Sequence, residues 1–169
     1  MVRKFEMATE IPIAPDIFWI LRIDQGFDRF CAEQEKLTFT LEQSQRSKDA
    51  DGNEFIEIAT DLSADESPLP AALQAVMSAK KFSLTNRAKW WVHKHDVHHK
   101  ASFASSPRVM SSRLSIRGQS WLEPGATPDA CRVRYQIEIE VRVPALSSLL
   151  EAGLEKRVRD SYTRVPDLT

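Results

Sequence analysis

The stretch that decides the fold is Cys131-Arg-Val-Arg-Tyr135-Gln-Ile-Glu-Ile-Glu140-Val-Arg-Val143. Its odd positions, Cys131, Val133, Tyr135, Ile137, Ile139, Val141 and Val143, are apolar or nearly so, and every even position from Arg132 to Arg142 is polar. A strict period of two marks a strand with one dry face and one wet face. Pro144 ends it. The period then changes: Leu146, Leu149, Leu150, Leu154 and Val158 recur at helical spacing, with Glu151, Glu155, Arg157 and Arg159 filling the other side. Ser148 followed by Glu151 has the spacing of a capping box. A long amphipathic strand therefore feeds a terminal amphipathic helix, and two one-sided surfaces adjacent in sequence close on each other.

Upstream, the same two periods alternate. Residues 3–11 place Phe5, Met7, Thr9 and Ile11 on one side of a first strand. Pro15 opens a short helix with Ile17, Phe18, Trp19 and Leu21 as its apolar set. A second helix starts near Asp24 and carries Phe27, Phe30 and Cys31 on one face. Alternation returns from Lys36. Residues 46–53 form a turn with a hairpin-type Asp51-Gly52 pair, and residues 54–62 a return strand. A Pro-rich break precedes a short helix over 70–79, with Leu73, Val76 and Met77 apolar. Strands follow at 82–93, to about Ser105, and at 110–122. Chain order is thus one strand, two helices, about six strands with one inserted helix, and a long terminal helix. The fold class is α+β: an antiparallel sheet of about seven strands curving over the last helix, in a single domain over 1–169.

The chain of 169 residues has ordinary globular composition, 42% hydrophobic and 28% charged. It has no apolar run near the roughly 20 residues that span a bilayer, and its first residues lack the apolar centre of a signal peptide. Cys31 and Cys131 are expected as free thiols in a reducing, cytoplasmic compartment. The net charge of −1 hides an asymmetry. Residues 1–79 carry seven Lys/Arg against fifteen Asp/Glu, whereas residues 82–118 carry seven against one. That basic segment puts Arg87, Lys89, Trp91, Arg113 and Arg117 on the outer sheet face. It is either a solvated face balanced by acidic helices or a surface for an anionic membrane or partner. No nucleic-acid partner is expected.

The order of elements resembles the helix-grip fold of the START and Bet v 1-like (SRPBCC) superfamily over nearly the whole chain. The local resemblances are Ile13-Ala-Pro-Asp-Ile-Phe-Trp-Ile-Leu21 after the first strand, Leu114-Ser-Ile-Arg-Gly118, and Arg142-Val-Pro-Ala-Leu-Ser-Ser-Leu-Leu-Glu151 leading into the gripping helix. Within the superfamily the chain is most similar to the START-like group DUF2505. The resemblance implies an internal cavity for a sterol, phospholipid, fatty acid or other apolar molecule, and it also admits enzymes and protein-binding modules.

The inward positions that would line such a cavity are Asn86, Trp90, Ser112, Leu114, Ile116, Tyr135, Ile137 and Ile139 on the sheet, with Leu150 and Leu154 on the helix. Ser120 and Gly118 would leave room for a ligand. Tyr135 and Asn86 need polar partners: each other, the backbone, or a ligand's polar end. His93, His95, His98 and His99 lie close together beside Asp96. They form a solvated hairpin tip, a metal site or a pH-responsive edge; Lys94 and Lys100 oppose a cation, and no metal or other cofactor is assigned. No nucleophile elbow, phosphate-cradling loop or zinc-protease motif is present, so no catalytic residue is assigned. The expected function is binding, with or without transfer, of an apolar molecule. The alternatives are a cyclase or aromatase-type enzyme in which Tyr135 and Asn86 orient a polyketide-like substrate, and an interaction module whose cavity is filled by side chains.

Overall fold

Cys131–Val141 forms a strand whose alternation is realised: all six odd residues are buried, and those between are exposed or half-buried. The computed structural model describes residues 2–66, 71, 74–75, 82–109 and 112–168. In chain order the strands are β1 (Val2–Ile11), β2 (Thr38–Lys48), β3 (Glu54–Ala64), β4 (Phe82–Trp91), β5 (Ala101–Pro107), β6 (Leu114–Pro124) and β7 (Cys131–Val141). They make one antiparallel sheet in the order β1-β7-β6-β5-β4-β3-β2. Each strand from β2 to β7 pairs with its neighbour in sequence. β1 alone crosses the chain, with Val2 opposite Glu140 and Ile11 opposite Cys131.

Strand pairing of β2 continues to Lys48, so the β2–β3 turn is tighter than the alternation suggests. The Asp49 carboxylate accepts the N–H groups of Asp51 (3.0 Å) and Asn53 (2.8 Å) and the Asn53 amide (2.9 Å). Gly52 takes φ +82°, a conformation open to glycine at little cost.

Four helices are described: α1 (Pro15–Ile23), α2 (Gln25–Gln34), α3 (Ser147–Thr163) and the short α4 (Val165–Leu168). The helix expected over 70–79 lies largely outside the described residues, as do Leu73, Val76 and Met77. Helix α3 packs on β7 and β1 through Leu150 and Leu154, with Val158 and Tyr162 continuing the same face. Two details of its N-terminus differ from the sequence pattern. No capping box forms; the Ser147 hydroxyl instead donates to the Val143 carbonyl at 2.8 Å. Glu151, expected on the wet side, is 1% exposed, and its carboxylate accepts the Val141 N–H at 3.2 Å. Leu149, expected inside, is 67% exposed. The helix is therefore rotated from the expected face, because the end of β7 offers an amide that Glu151 can satisfy and Leu149 cannot. Ile17 and Phe30, likewise expected inside, are largely exposed.

Candidate functional site

On α1 the buried pair is Phe18 and Trp19. Arg22 stands four residues after the first and three after the second, so helical geometry carries it to the same inward side. Its guanidinium lies 5.4 Å from the Trp90 ring centre and 5.6 Å from that of Phe27, and donates to Asp28 of α2 at 3.2 Å. Both partners are half-buried. Burial raises the Asp28 carboxyl above the usual carboxylate value, and Arg22 pulls the other way without cancelling it.

Facing this pair from β7 and α3 are Tyr135 and Tyr162, ring centres 4.3 Å apart. Burial pushes both phenols up, Tyr135 far above its ordinary range, and Arg22 opposes the shift at each. Tyr135 is 4% exposed. One row away on the same face, the Thr9 hydroxyl is buried without a hydrogen-bond partner among the described residues. Cys31 of α2 completes the cluster, its thiol raised by burial. Trp19 closes one side, edge-on to Trp90 at 4.9 Å and donating its indole N–H to the Trp91 carbonyl at 2.7 Å. The arrangement is a polar island, one cation and two phenols, walled by aromatic rings. It can hold a carbonyl, hydroxyl or carboxyl at the end of an apolar body.

Of the positions expected to line a cavity, Trp90, Leu114, Tyr135, Ile137, Ile139, Leu150 and Leu154 are buried in one contiguous core, and Ile116 is packed against it. Asn86 does not meet Tyr135; its side-chain oxygen accepts the hydroxyl of Ser105, directly across on β5, at 2.8 Å. Two expectations are corrected. Ser112 precedes β6 in a turn and is exposed, so it faces no interior. Gly118 leaves no vacancy: the ring of Phe103, its partner on β5, occupies that space, and a β-carbon at Gly118 would lie 2.5 Å from the ring tip. Arg22, Asp28, Cys31 and Tyr162 were missed. The signal for Arg22 was present, since it sits in register with Phe18 and Trp19, and Tyr162 extends the Leu150–Leu154–Val158 series by one turn.

The histidine loop is held by local pairs. His95 bonds to Asp16 at 2.9 Å with its ring near Trp19. His99 contacts the Asp96 carboxylate through Nδ1, at 3.1 Å, and the Lys94 ammonium through Nε2, at 3.3 Å. Because the ammonium can only donate, Nε2 accepts and Nδ1 carries the proton. Against a desolvation cost, the N–H groups of His98 and His99 hold the Asp96 carboxyl below its usual value. His93 and His98 are exposed, and among the described residues no three potential ligands converge on a metal-sized site.

On the outer face, Trp91 is half-buried between Phe55 (5.7 Å) and His99 (5.6 Å), with the Lys89 ammonium 4.6 Å above it. It packs beneath a lysine instead of projecting. Much of the basic face is neutralised by neighbouring strands: Lys4 by Glu138 (2.6 Å), Arg142 by Glu140 (2.9 Å), and Arg108 by Asp61 (2.9 Å) and Glu42. A recess of about 1040 Å³ also lies on this face. It crosses all seven strands between rows of outward side chains and includes no residue of the helices. It is separate from the interior cluster, whose chemistry is the better developed.

A curved seven-stranded antiparallel sheet, two short helices after the first strand and a long C-terminal helix give the chain a Bet v 1-like helix-grip fold. The chain belongs to the DUF2505 family, described as a protein of unknown function, whose family model matches residues 9–169. Similar solved structures include the Zhui aromatase/cyclase from Streptomyces sp. R1128 (TM-score 0.58, 10% identity, covering 99% of this chain and 91% of that one). Ara h 8.0201 is similar at TM-score 0.55 and 10% identity (99% and 97% covered). TTHA0849 from Thermus thermophilus is similar at 0.53 and 15% (98% and 91% covered). No curated protein sequence matches the chain. No described helix is long and apolar enough to cross a membrane.

Proposed function

We propose that the protein binds an apolar small molecule with one polar end, held between the sheet and α3. The observation that carries this reading is the meeting of Arg22, Tyr135 and Tyr162 between the sheet and α3 under an aromatic wall, with the Thr9 hydroxyl on the same sheet face buried and without a hydrogen-bond partner among the described residues. The apolar body would leave water at roughly 25 cal/mol per Å² buried, against Ile116, Phe103 and the Trp90 wall. A sterol, phospholipid or fatty acid has the required chemistry. Delivery from an anionic membrane would use Arg87, Arg113 and Arg117. Trp91, held beneath Lys89, takes no part. The free thiols of Cys31 and Cys131 suit a reducing, cytoplasmic setting.

A second reading draws on the same residues. A cyclase or aromatase-type enzyme would use Tyr135 and Arg22 to orient a carbonyl of a polyketide-like chain, and the printed name of one structural neighbour supports keeping it. Asn86, engaged by Ser105, has no part in it.

Native mass spectrometry of the purified protein, with organic extraction of bound lipid, tests the first reading. A stoichiometric apolar ligand is expected. Tyr135→Phe, which keeps the ring against Tyr162, should weaken it several-fold, in line with the loss of about 1 kcal/mol for one hydrogen bond. A bare protein that takes up no sterol, fatty acid or phospholipid from vesicles would refute it. Turnover of a polyketide-like substrate, slowed by Tyr135→Phe more than its binding is weakened, would establish the second reading instead.

A further inference from the structure

The register of the sheet gives one arginine an alanine directly across on either side. Arg87 of β4 has Ala59 across from it on β3 and Ala104 across from it on β5. Other outward cations have acids directly or diagonally across, as Lys4 has Glu138 and Arg132 has Glu10. For Arg87 they stand only diagonally, Glu57 and Asp61 on β3, with Asp61 held by Arg108 at 2.9 Å, and neither Arg87 nor Arg113 forms an ion pair among the described residues. Beyond Ala104 stands Arg117 of β6. Arg87 and Arg117 therefore flank one methyl group, their backbones two strand spacings apart, about 10 Å.

These three residues form the junction of two recesses. The smaller, about 320 Å³, runs past Arg113 and is lined by the hydroxyl-bearing Thr85, Ser106 and Ser115. The larger shares Arg87, Ala104 and Arg117 with it and leads away across the sheet. The smaller recess contains four arginines and one carboxylate, Glu140, which holds Arg142 at 2.9 Å and stands 3.8 Å from Arg117. Two uncommitted guanidiniums, a third loosely held, and hydroxyl donors in one concavity have the composition of an oxyanion site. A guanidinium matches a phosphoryl group with paired donors, where an ammonium offers only a point charge. A concentration of one charge sign in a recess also focuses the field on an incoming anion.

We propose that Arg87, Arg117 and Arg113, closing over Ala104, bind the phosphoryl group of a phosphate monoester, with the rest of that molecule lying in the larger recess. This site is independent of the interior ligand.

The test begins with inorganic phosphate titrated into isotope-labelled protein and followed by NMR. Saturable shifts are expected at the Ala104 amide and at the Arg87, Arg113 and Arg117 side chains. Arg87→Ala should weaken binding by roughly tenfold, Arg87→Lys by less, since the charge remains but the paired donors do not. Ala104→Glu, an exposed position where folding is preserved and can be checked by urea midpoint, should abolish it by supplying the arginines with an internal carboxylate. Arg46→Ala, on β2, should change nothing. Absence of saturation, or equal weakening by Arg46→Ala, overturns the proposal. Flotation with phosphatidylcholine vesicles, with and without phosphatidic acid, then identifies the source. Flotation that needs both phosphatidic acid and Arg87 assigns the site to a lipid head group. Phosphate binding without flotation assigns it to a soluble phosphate ester. Flotation unaffected by Arg87→Ala overturns it.

Discussion

Replacing Gly118 with alanine should destabilise the protein by about 1–2 kcal/mol. A β-carbon there would lie 2.5 and 2.7 Å from two atoms of the Phe103 ring and 2.8 Å from the carbonyl oxygen of Gln136. The two obstacles differ in kind. The ring tip belongs to a half-buried side chain and can swing aside. The carbonyl belongs to the β6–β7 ladder, where Gln119 faces Gln136, and moves only with the strand. Overpacking of this severity costs about 1–3 kcal/mol. Alanine returns about 0.4–1 kcal/mol by reducing the freedom of the unfolded chain, which leaves the net figure. For a chain of this size each kcal/mol moves the melting temperature by about 2–4 °C. Urea denaturation of wild type, Gly118→Ala, Phe103→Leu and the double variant forms the assay. In the Phe103→Leu background the alanine penalty should shrink, because the soft obstacle is gone, but should not vanish, because the carbonyl remains. A neutral or stabilising Gly118→Ala, or a penalty of equal size in both backgrounds, would refute the reasoning.

Three further outcomes are expected. Glu151→Leu should cost about 1–3 kcal/mol by orphaning the buried Val141 N–H, whereas Glu151→Gln, which keeps an acceptor, should lie near wild type in the same denaturation assay. Glu155 is held below the usual carboxylate value first by its bond to Arg3, with Arg159 adding to it against a smaller burial cost. Its ionised form therefore adds stability above the unfolded value of about 4.3, lost as pH falls through the lower folded value; Glu155→Gln should flatten the acid limb of a stability–pH profile below about pH 4. Cys131 is wholly buried and its thiol is pushed up to about 11 by burial, while Cys31 is only half-buried. Maleimide at mildly alkaline pH should modify Cys31 well before Cys131, as read by peptide mass spectrometry, and the reverse order would mean that the start of β7 opens.

Period-two alternation carried most of the architecture. From Cys131 to Val141 each side-chain direction follows from position alone, and the same holds for Phe5 to Ile11 and for Ile56 to Thr60. What alternation could not supply was the identity of tertiary neighbours. Glu151 reads as a solvent residue until the end of β7 presents an unpaired amide to it. Gly118 reads as space until register sets Phe103 beside it. Arg22 and Asp28 read as the polar sides of two short helices, and only the packing of α1 and α2 against Trp90 and Tyr135 turns them inward. Trp91 alternates outward as expected, but the strand beside it supplies Phe55 and its own strand supplies Lys89, so the indole is covered. That Arg87 has no acid directly across it follows from register as well: the two alanines flanking it are far apart in sequence and become its neighbours only once β3, β4 and β5 are aligned.

β1 is synthesised first and paired last. Val2 must find Glu140, and closing so long a loop costs about 4 kcal/mol of chain entropy, while every later strand meets a partner already adjacent in sequence. At translation rates of about 5–20 residues per second, β7 emerges on the order of ten seconds after β1. Through that interval Phe5, Met7 and Ile11 have no sheet to join, and the growing meander from β2 onward exposes each newest strand as an open edge. Holdase chaperones that recognise short apolar strands would engage this chain at its first ten residues, and their release would coincide with the appearance of β7 and α3.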